Sequence, residues 1–338
     1  KIQKEIFNQK ETKIQKEIFN QKETKIQKEI KNLKLELALK QKEIYVWGHK
    51  IKLDKYNLRN NNEVYKNLKN KNNLFVFGGS SVYGVGVAEG KNWVKLLKKS
   101  TKEFQVVNAG RGGFMLEDKI RLLQRYLDDG LDIKNILLIS VHNNRTYGSY
   151  QNNNSLNKLK RYLQAKSLAF YILNHKIRKF IDVDEDIGLN SLGKNNVWFY
   201  NNSKHSKRKD KTKILFKKFY DICKEYNINI IISTMPTYFN YSITEMRNLM
   251  NIDTRNIIEQ KINNKKRISA SEVLYYEMFD FNQLSENFAK KHNIKFIDSI
   301  DLFNNSSNKI YFIDSTHFTD QGHLKYYHFI KEKLKEFL

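Results

Sequence analysis

Residues 74–84 read LFVFGGSSVYG, an apolar run that leads into a turn containing glycine. An apolar run of this length, bounded by turn residues, is typical of a buried strand. A serine on the turn after such a strand faces the crevice at the carboxyl edge of a sheet, where its backbone N–H can meet a developing oxyanion. Ser80 is therefore a candidate nucleophile. Alone, the stretch is also typical of an ordinary strand-to-helix loop, and it lacks the G-x-G-x-x-G spacing of a dinucleotide-binding loop.

The same pattern recurs along the chain and predicts the fold class. Further apolar runs, each long enough for a short strand, occupy 105–107, 136–141, 228–233 and 295–297. Helical stripes accompany them, namely Leu116, Ile120, Leu123 and Leu127, and at the end of the chain Tyr327, Ile330, Leu334 and Phe337. Strands that alternate with helices predict a mainly parallel sheet covered on both faces, which is a three-layer α/β/α sandwich.

Two further motifs follow predicted strands and carry hydrogen-bond donors. Residues 108–113, NAGRGG, contain the glycines needed to bring backbone N–H groups close to a ligand. In residues 141–144, VHNN, the side-chain amide of Asn143 could be aimed into the same crevice. A flexible loop explains the glycines of residues 108–113 equally well. A match to the motif shifted by one residue would make Asn144 the donor in place of Asn143.

A fourth motif, DSTH at residues 314–317, precedes the final helix. Three-residue spacing on a turn lets the Asp314 carboxylate accept the Nδ1–H of His317, which leaves Nε2 able to take a proton. The alternative is structural, with Asp314 capping a turn and His317 packed beside it.

Together and in this order, the four motifs resemble the SGNH (GDSL-like) hydrolase family over about residues 70–338. The resemblance implies a flavodoxin-like α/β/α fold and a serine esterase that uses neither cofactor nor metal. It implies that Ser80 is the nucleophile and that Gly113 and Asn143 are oxyanion donors. It also implies that Asp314 and His317 are the D-x-x-H pair. Ser80 N–H would be the remaining oxyanion donor. Gly79 and Asn144 depart from the family pattern, which has Asp at both positions.

Two arginines suggest what the substrate carries. Arg111 lies inside the second motif and Arg145 follows the third, so both could flank the crevice. Because guanidinium groups bind carboxylates and phosphates bidentately, we expect an anionic ester, unless both side chains point into solvent. The expected partner is a small-molecule or glycan ester, with an O-acetylated carbohydrate favoured. Transfer of the acyl group to an alcohol instead of water is the alternative.

The net charge of +25 raises the question of a nucleic-acid partner. The excess of Lys and Arg is spread along a chain that is also rich in Asn and Ile, which favours compositional bias over a binding surface. The densest cluster comprises Lys204, Lys207, Arg208, Lys209, Lys211 and Lys213. The competing hypothesis is a non-catalytic basic protein that uses this cluster on nucleic acid or an anionic surface.

Cys223, the only cysteine, lies in an apolar helical pattern and is predicted to be a buried hydrophobic residue.

The chain divides into an extension, residues 1–44, and a hydrolase-like domain, residues 45–338. The unit KIQKEIFNQKET fills 1–12 and again 13–24, and its isoleucines wind around a helix instead of forming a coiled-coil seam. We expect a solvated helical extension, or alternatively an arm that oligomerises or associates with a membrane surface. Within the domain we expect an insertion at about 145–210 and a helical excursion at about 238–285. Since the sequence begins with Lys, location in the cytoplasm or at the cell envelope both stay open.

Overall fold

A computed structural model of the chain describes residues 42–46, 48–66, 68, 72–139, 197–198, 200, 202–237, 252–266, 268–303, 310–313 and 316–337. The repeated extension up to residue 41, most of the predicted insertion, and the first part of the predicted excursion lie outside the described residues. So do three predicted site residues, Asn143, Arg145 and Asp314.

The described part of the chain contains nine strands and seven α-helices. The strands are β1 Lys42–Val46, β2 His49–Leu53, β3 Asn73–Gly78, β4 Gln105–Gly110, β5 Asn135–Ile139, β6 Val197–Trp198, β7 Asn229–Ser233, β8 Ile268–Ser269 and β9 Lys295–Ile297. The helices are α1 Ser80–Tyr83, α2 Trp93–Ser100, α3 Leu116–Asp128, α4 Asn202–Glu225, α5 Ile252–Asn263, α6 Ala270–Lys291 and α7 Asp320–Lys335. Short 3₁₀ turns occupy Asn62–Tyr65 and Ile300–Phe303.

Five strands form a parallel sheet in the order β4-β3-β5-β7-β9. In chain order this is 2-1-3-4-5, the flavodoxin-like arrangement, in which the strand order reverses between β3 and β5. Crevices open at the carboxyl ends of the strands beside such a reversal, since the connections there leave to opposite sides. The sheet therefore places the end of β3, just before Ser80, at the crevice.

Alternating side chains of the sheet supply two cores, one on each face. Phe75 and Phe77 pack with α3, α4 and α6 on one side, whereas Leu74 and Val76 pack with α2 and α7 on the other. All four side chains are fully buried, and burying each contributes roughly 1.5–3 kcal/mol. Continuous burial of β3 explains why its sequence is apolar throughout. The predicted three-layer α/β/α fold is confirmed.

A two-stranded hairpin precedes the sheet. Strands β1 and β2 pair antiparallel around Gly48, whose φ of +79° is a left-handed conformation that glycine adopts freely. Ile51 and Leu53 of β2 pack on Tyr83 and Val85, at the end of α1 and just beyond it. The hairpin thus covers the chain that follows Ser80.

Two regular elements begin inside the segments predicted as the extension and the insertion. Residues 42–44, assigned to the helical extension, belong to β1, and residues 202–210, assigned to the insertion, form the start of α4. In both places the many Lys residues obscure the apolar pattern that would have predicted the strand or the helix. Among the described helices, none combines the length and apolar character needed to cross a membrane.

Candidate active site

Ser80 is the first residue of α1, at the carboxyl end of β3. A Cβ built on Gly78 would collide with the side chain of Val82, so glycine lets α1 fold back closely over the end of the strand. Gly84 ends α1 at φ +83°, and its N–H donates to the Ser80 carbonyl at 2.8 Å. The glycines thus fix a single tight turn that presents the half-buried Ser80 side chain.

His317 meets Ser80 from the other end of the chain. Its Nε2 lies 2.8 Å from Ser80 Oγ, a hydrogen bond between residues 237 positions apart. The His317 carbonyl accepts the N–H of Ile313 at 2.8 Å, and a β-bridge joins Phe312 to Phe318, both buried in the core. The loop that carries the imidazole is therefore anchored on both sides. At this distance, a proton on the serine hydroxyl can pass directly to the ring.

Ser81 joins the two sides of the site by a second contact. Its buried hydroxyl donates to the carbonyl of Thr316 at 2.8 Å, immediately before His317. The Ser81 carbonyl in turn accepts the indole N–H of Trp93 at 3.2 Å, and Trp93 packs edge-on against Tyr326 of α7. Neighbouring residues of α1 thus hold the imidazole and the backbone of its loop.

The loop with Gly113 leaves the sheet beside Ser80. Strands β3 and β4 end in register at Gly78 and Gly110, and the N–H of Arg111 donates to the Gly78 carbonyl at 3.3 Å. Gly113 is exposed with φ +75°, a conformation that a residue with a side chain adopts only with strain. Asn108 Nδ2 donates to the Val82 carbonyl at 2.9 Å, which ties β4 to α1. Backbone donors of this loop therefore lie on the same edge of the sheet as Ser80.

Arg59 supports the turn after Ser80 and was missed by sequence reasoning. Its buried guanidinium donates to the carbonyls of Gly84 at 2.5 Å and Val87 at 2.9 Å, and to the Glu89 carboxylate at 3.1 Å. Charged donors to carbonyls form stronger hydrogen bonds than neutral ones. No motif marks Arg59, because most of its partners are backbone atoms that any sequence would supply.

Lys119 is a second residue that sequence reasoning missed. It is buried in α3, and its Nζ donates to the carbonyl of Ile139, the last residue of β5, at 3.2 Å. Burial lowers the pKa of Lys119 to about 7, since desolvation disfavours the ammonium form. The contact fixes the strand end that leads toward the Asn143 motif. Its position next to Ile120 of the apolar stripe was the only signal in the sequence.

Other predicted features sit apart from this site. Cys223 is fully buried, as expected, and burial raises the pKa of its thiol to about 12. It therefore has no thiolate to offer at neutral pH. Among the described residues, His, Cys, Asp and Glu side chains form no group of three or more that could hold a metal ion.

No protein-family model matches the sequence, and neither does any curated protein. Solved structures do match. One of them, a member of the lipolytic G-D-S-L family from Veillonella parvula, is 14% identical with a TM-score of 0.41, covering 79% of this chain and 97% of its own. An acetyl xylan esterase, AlAXEase, is 16% identical with a TM-score of 0.42, covering 78% and 98%. The lipase/acylhydrolase from Enterococcus faecalis is 13% identical with a TM-score of 0.38, covering 78% and 96%.

By their names, these three structural neighbours are a lipolytic G-D-S-L protein, an acetyl xylan esterase and a lipase/acylhydrolase. The first of them bears the name of the family that the four motifs resemble. Their identities are far below 25% and their TM-scores below 0.5, so the proposed function rests on the residues of this chain.

Proposed function

We propose that the protein is a serine esterase with Ser80 as nucleophile and His317 as general base. The supporting observation is the 2.8 Å contact between His317 Nε2 and Ser80 Oγ at the carboxyl edge of a parallel sheet. A serine paired with an imidazole at hydrogen-bond distance is the arrangement that activates a hydroxyl for acyl transfer. A structural serine needs no such partner, because water or a backbone carbonyl would satisfy it.

The reaction would proceed in two steps. His317 Nε2 takes the Ser80 proton as Oγ attacks the ester carbonyl, and the imidazolium then gives that proton to the leaving alcohol. Water, deprotonated by the same ring, hydrolyses the acyl-enzyme and releases the acid. The N–H groups of Ser80 and Gly113 and the Asn143 amide would stabilise the oxyanion, and Asp314 would hold the ring, as the family resemblance implies.

For the substrate we propose a short acyl ester, such as an O-acetyl group on a carbohydrate. Support comes from the surroundings of the second motif: Cβ atoms built on Gly112 and Gly113 meet no atom of the described residues within 4 Å. A bulky polar alcohol can approach such a surface without displacing side chains. Product analysis with a sugar acceptor would show whether the acyl group passes to water or to another alcohol.

The test is hydrolysis of p-nitrophenyl acetate by the protein and by Ser80→Ala, His317→Ala and the double variant. Each single variant should lose ~1,000-fold or more in kcat, and the double variant should be no slower, because the two residues act as one unit. Ser100→Ala and His328→Ala are matched controls, since both residues are exposed on other helices. Full activity in Ser80→Ala, or multiplicative losses in the double variant, would refute the proposal.

A further inference from the structure

A basic helix borders the loop that follows Gly113. Arg208 of α4 is half-buried, and its Nη2 donates to the Sδ atom of Met115 at 3.6 Å. One turn later Lys211 pairs with Glu117 at the start of α3. These two contacts place the densest cluster of positive charge in the sequence beside the second motif. The proposed esterase mechanism makes no use of this cluster.

The charge of Arg208 lacks an internal counterion in the part of the chain that the structure describes. A thioether is a weak acceptor for a guanidinium group. The nearby carboxylates are engaged elsewhere: Glu117 with Lys211, and Asp118 with Arg121 at 2.5 Å and with the N–H of Met115 at 2.9 Å. No described carboxylate lies within ion-pair distance of Arg208. A half-buried guanidinium in this setting attracts an external anion.

Arg111 supplies a second guanidinium on the same loop. It is exposed, and its guanidinium carbon lies 5.7 Å from the ring centroid of Phe114, the residue before Met115. Its charge also opposes the rise in the pKa of Tyr83 that burial causes, which shows that it lies near the end of α1. No described carboxylate pairs with Arg111 either. The two arginines therefore contact consecutive residues of one loop, Phe114 and Met115, which lie one and two positions after Gly113.

We propose that Arg208 and Arg111 form a subsite for an anionic group, a carboxylate or phosphate, on the ester-bearing substrate. The inference rests on the proposed esterase function and names the charge that its substrate carries. A guanidinium fork donates two parallel hydrogen bonds to the oxygens of such a group, which gives both affinity and orientation. Arg208 is a residue that the motif spacing did not single out for this role.

The test compares three acetyl esters of similar size: 4-acetoxybenzoate, its neutral methyl ester, and 4-acetoxyphenyl phosphate. In Arg208→Met the KM of the preferred anionic ester should rise about tenfold more than the KM of the methyl ester, since a charge-assisted contact is lost. Arg208→Lys should recover part of the loss. Whichever anionic ester responds more identifies the group that the subsite prefers.

Lys207→Met is the matched control, because Lys207 is exposed and successive helix residues point in different directions. This variant removes the same charge from α4, and it should leave the KM values of the anionic esters and of the neutral ester unchanged. Equal rises in KM for charged and neutral esters in Arg208→Met would overturn the subsite. So would a wild-type protein that does not distinguish them.

Calorimetry separates this proposal from the esterase proposal. Titration of 4-hydroxybenzoate into Ser80→Ala, and into Ser80→Ala combined with Arg208→Met, reports binding without turnover. The second variant should bind about tenfold more weakly. If the protein hydrolyses none of the esters, the esterase proposal fails, and the calorimetric difference still decides whether the anion subsite exists.

Discussion

Replacing Ser81 by Ala tests how the imidazole is held against Ser80. The change removes a hydroxyl hydrogen that reaches the Thr316 carbonyl at 2.8 Å, and it leaves the backbone and the proposed catalytic side chains unaltered. Such a buried hydrogen bond contributes about 0.5–1.5 kcal/mol to folding. Without it, the Thr316 carbonyl is free to shift, and the adjacent ring of His317 shifts with it.

The expected effect on catalysis follows from the same energy. If the lost contact serves to keep Nε2 on the Ser80 hydroxyl, most of its free energy is added to the activation barrier. The kcat then falls about two- to tenfold while KM stays constant. Ser81→Thr, which keeps the hydroxyl, should recover part of kcat. The assay is p-nitrophenyl acetate hydrolysis, measured well below the midpoint of thermal unfolding.

Ser285→Ala is the matched control for this prediction. Ser285 is equally buried, and its hydroxyl donates to the Phe281 carbonyl at 2.8 Å, but it lies within α6 on the other face of the sheet. Both variants should lose similar stability, and Ser81→Ala alone should lose kcat. Equal kcat in the two variants would show that the Ser81 hydroxyl stabilises the fold without positioning His317, and the reasoning would be refuted.

Two further predictions concern stability. His323 is fully buried, its Nδ1 accepts the N–H of Trp93 at 3.4 Å, and burial lowers its pKa to about 3. Below pH ~6.5 only the unfolded chain takes up this proton, so lowering the pH from 7 to 5 should cost roughly 2 kcal/mol in urea unfolding. His323→Gln should remove that share of the pH dependence. The same change in unfolding free energy with pH in the variant and in the original protein would contradict the prediction. Gly110→Ala should destabilise by ~1–3 kcal/mol and lower kcat, because the new Cβ would lie 2.6 Å from Val82 Cβ. Gly112→Ala should do neither, since its Cβ would meet no described atom within 4 Å.

The sequence predicted the central sheet well because its strands are buried on both faces. The run predicted at 295–297 coincides with β9, and the run at 74–77 differs from β3 by one residue at each end. Continuous apolar runs leave little doubt about such strands. The hairpin of β1 and β2 was missed, although Ile51 and Leu53 alternate with lysines around a glycine turn, because the alternation is short and lies in Lys-rich sequence.

The candidate site was predictable only where a residue type carries the chemistry. Ser80 and His317 stand in recognisable motifs, and the structure brings their side chains together. Hydrogen bonds to backbone or thioether atoms elsewhere in the fold are made by Arg59, Ser81 and Arg208. The local spacing of residues in the sequence does not encode such bonds. Contacts of this kind depend on the packing of distant elements, so a linear pattern could not reveal them.

The 237 positions between Ser80 and His317 also have a consequence for synthesis of the protein. A ribosome makes the hydroxyl early and the imidazole among the last residues before α7. During the time in between, the nascent chain holds only one half of the reactive pair, and long-range pairing of this kind forms late in folding. Under the proposed mechanism, chains that end before His317 are therefore inactive, and an ester meets an active hydroxyl only on molecules whose synthesis has passed that residue.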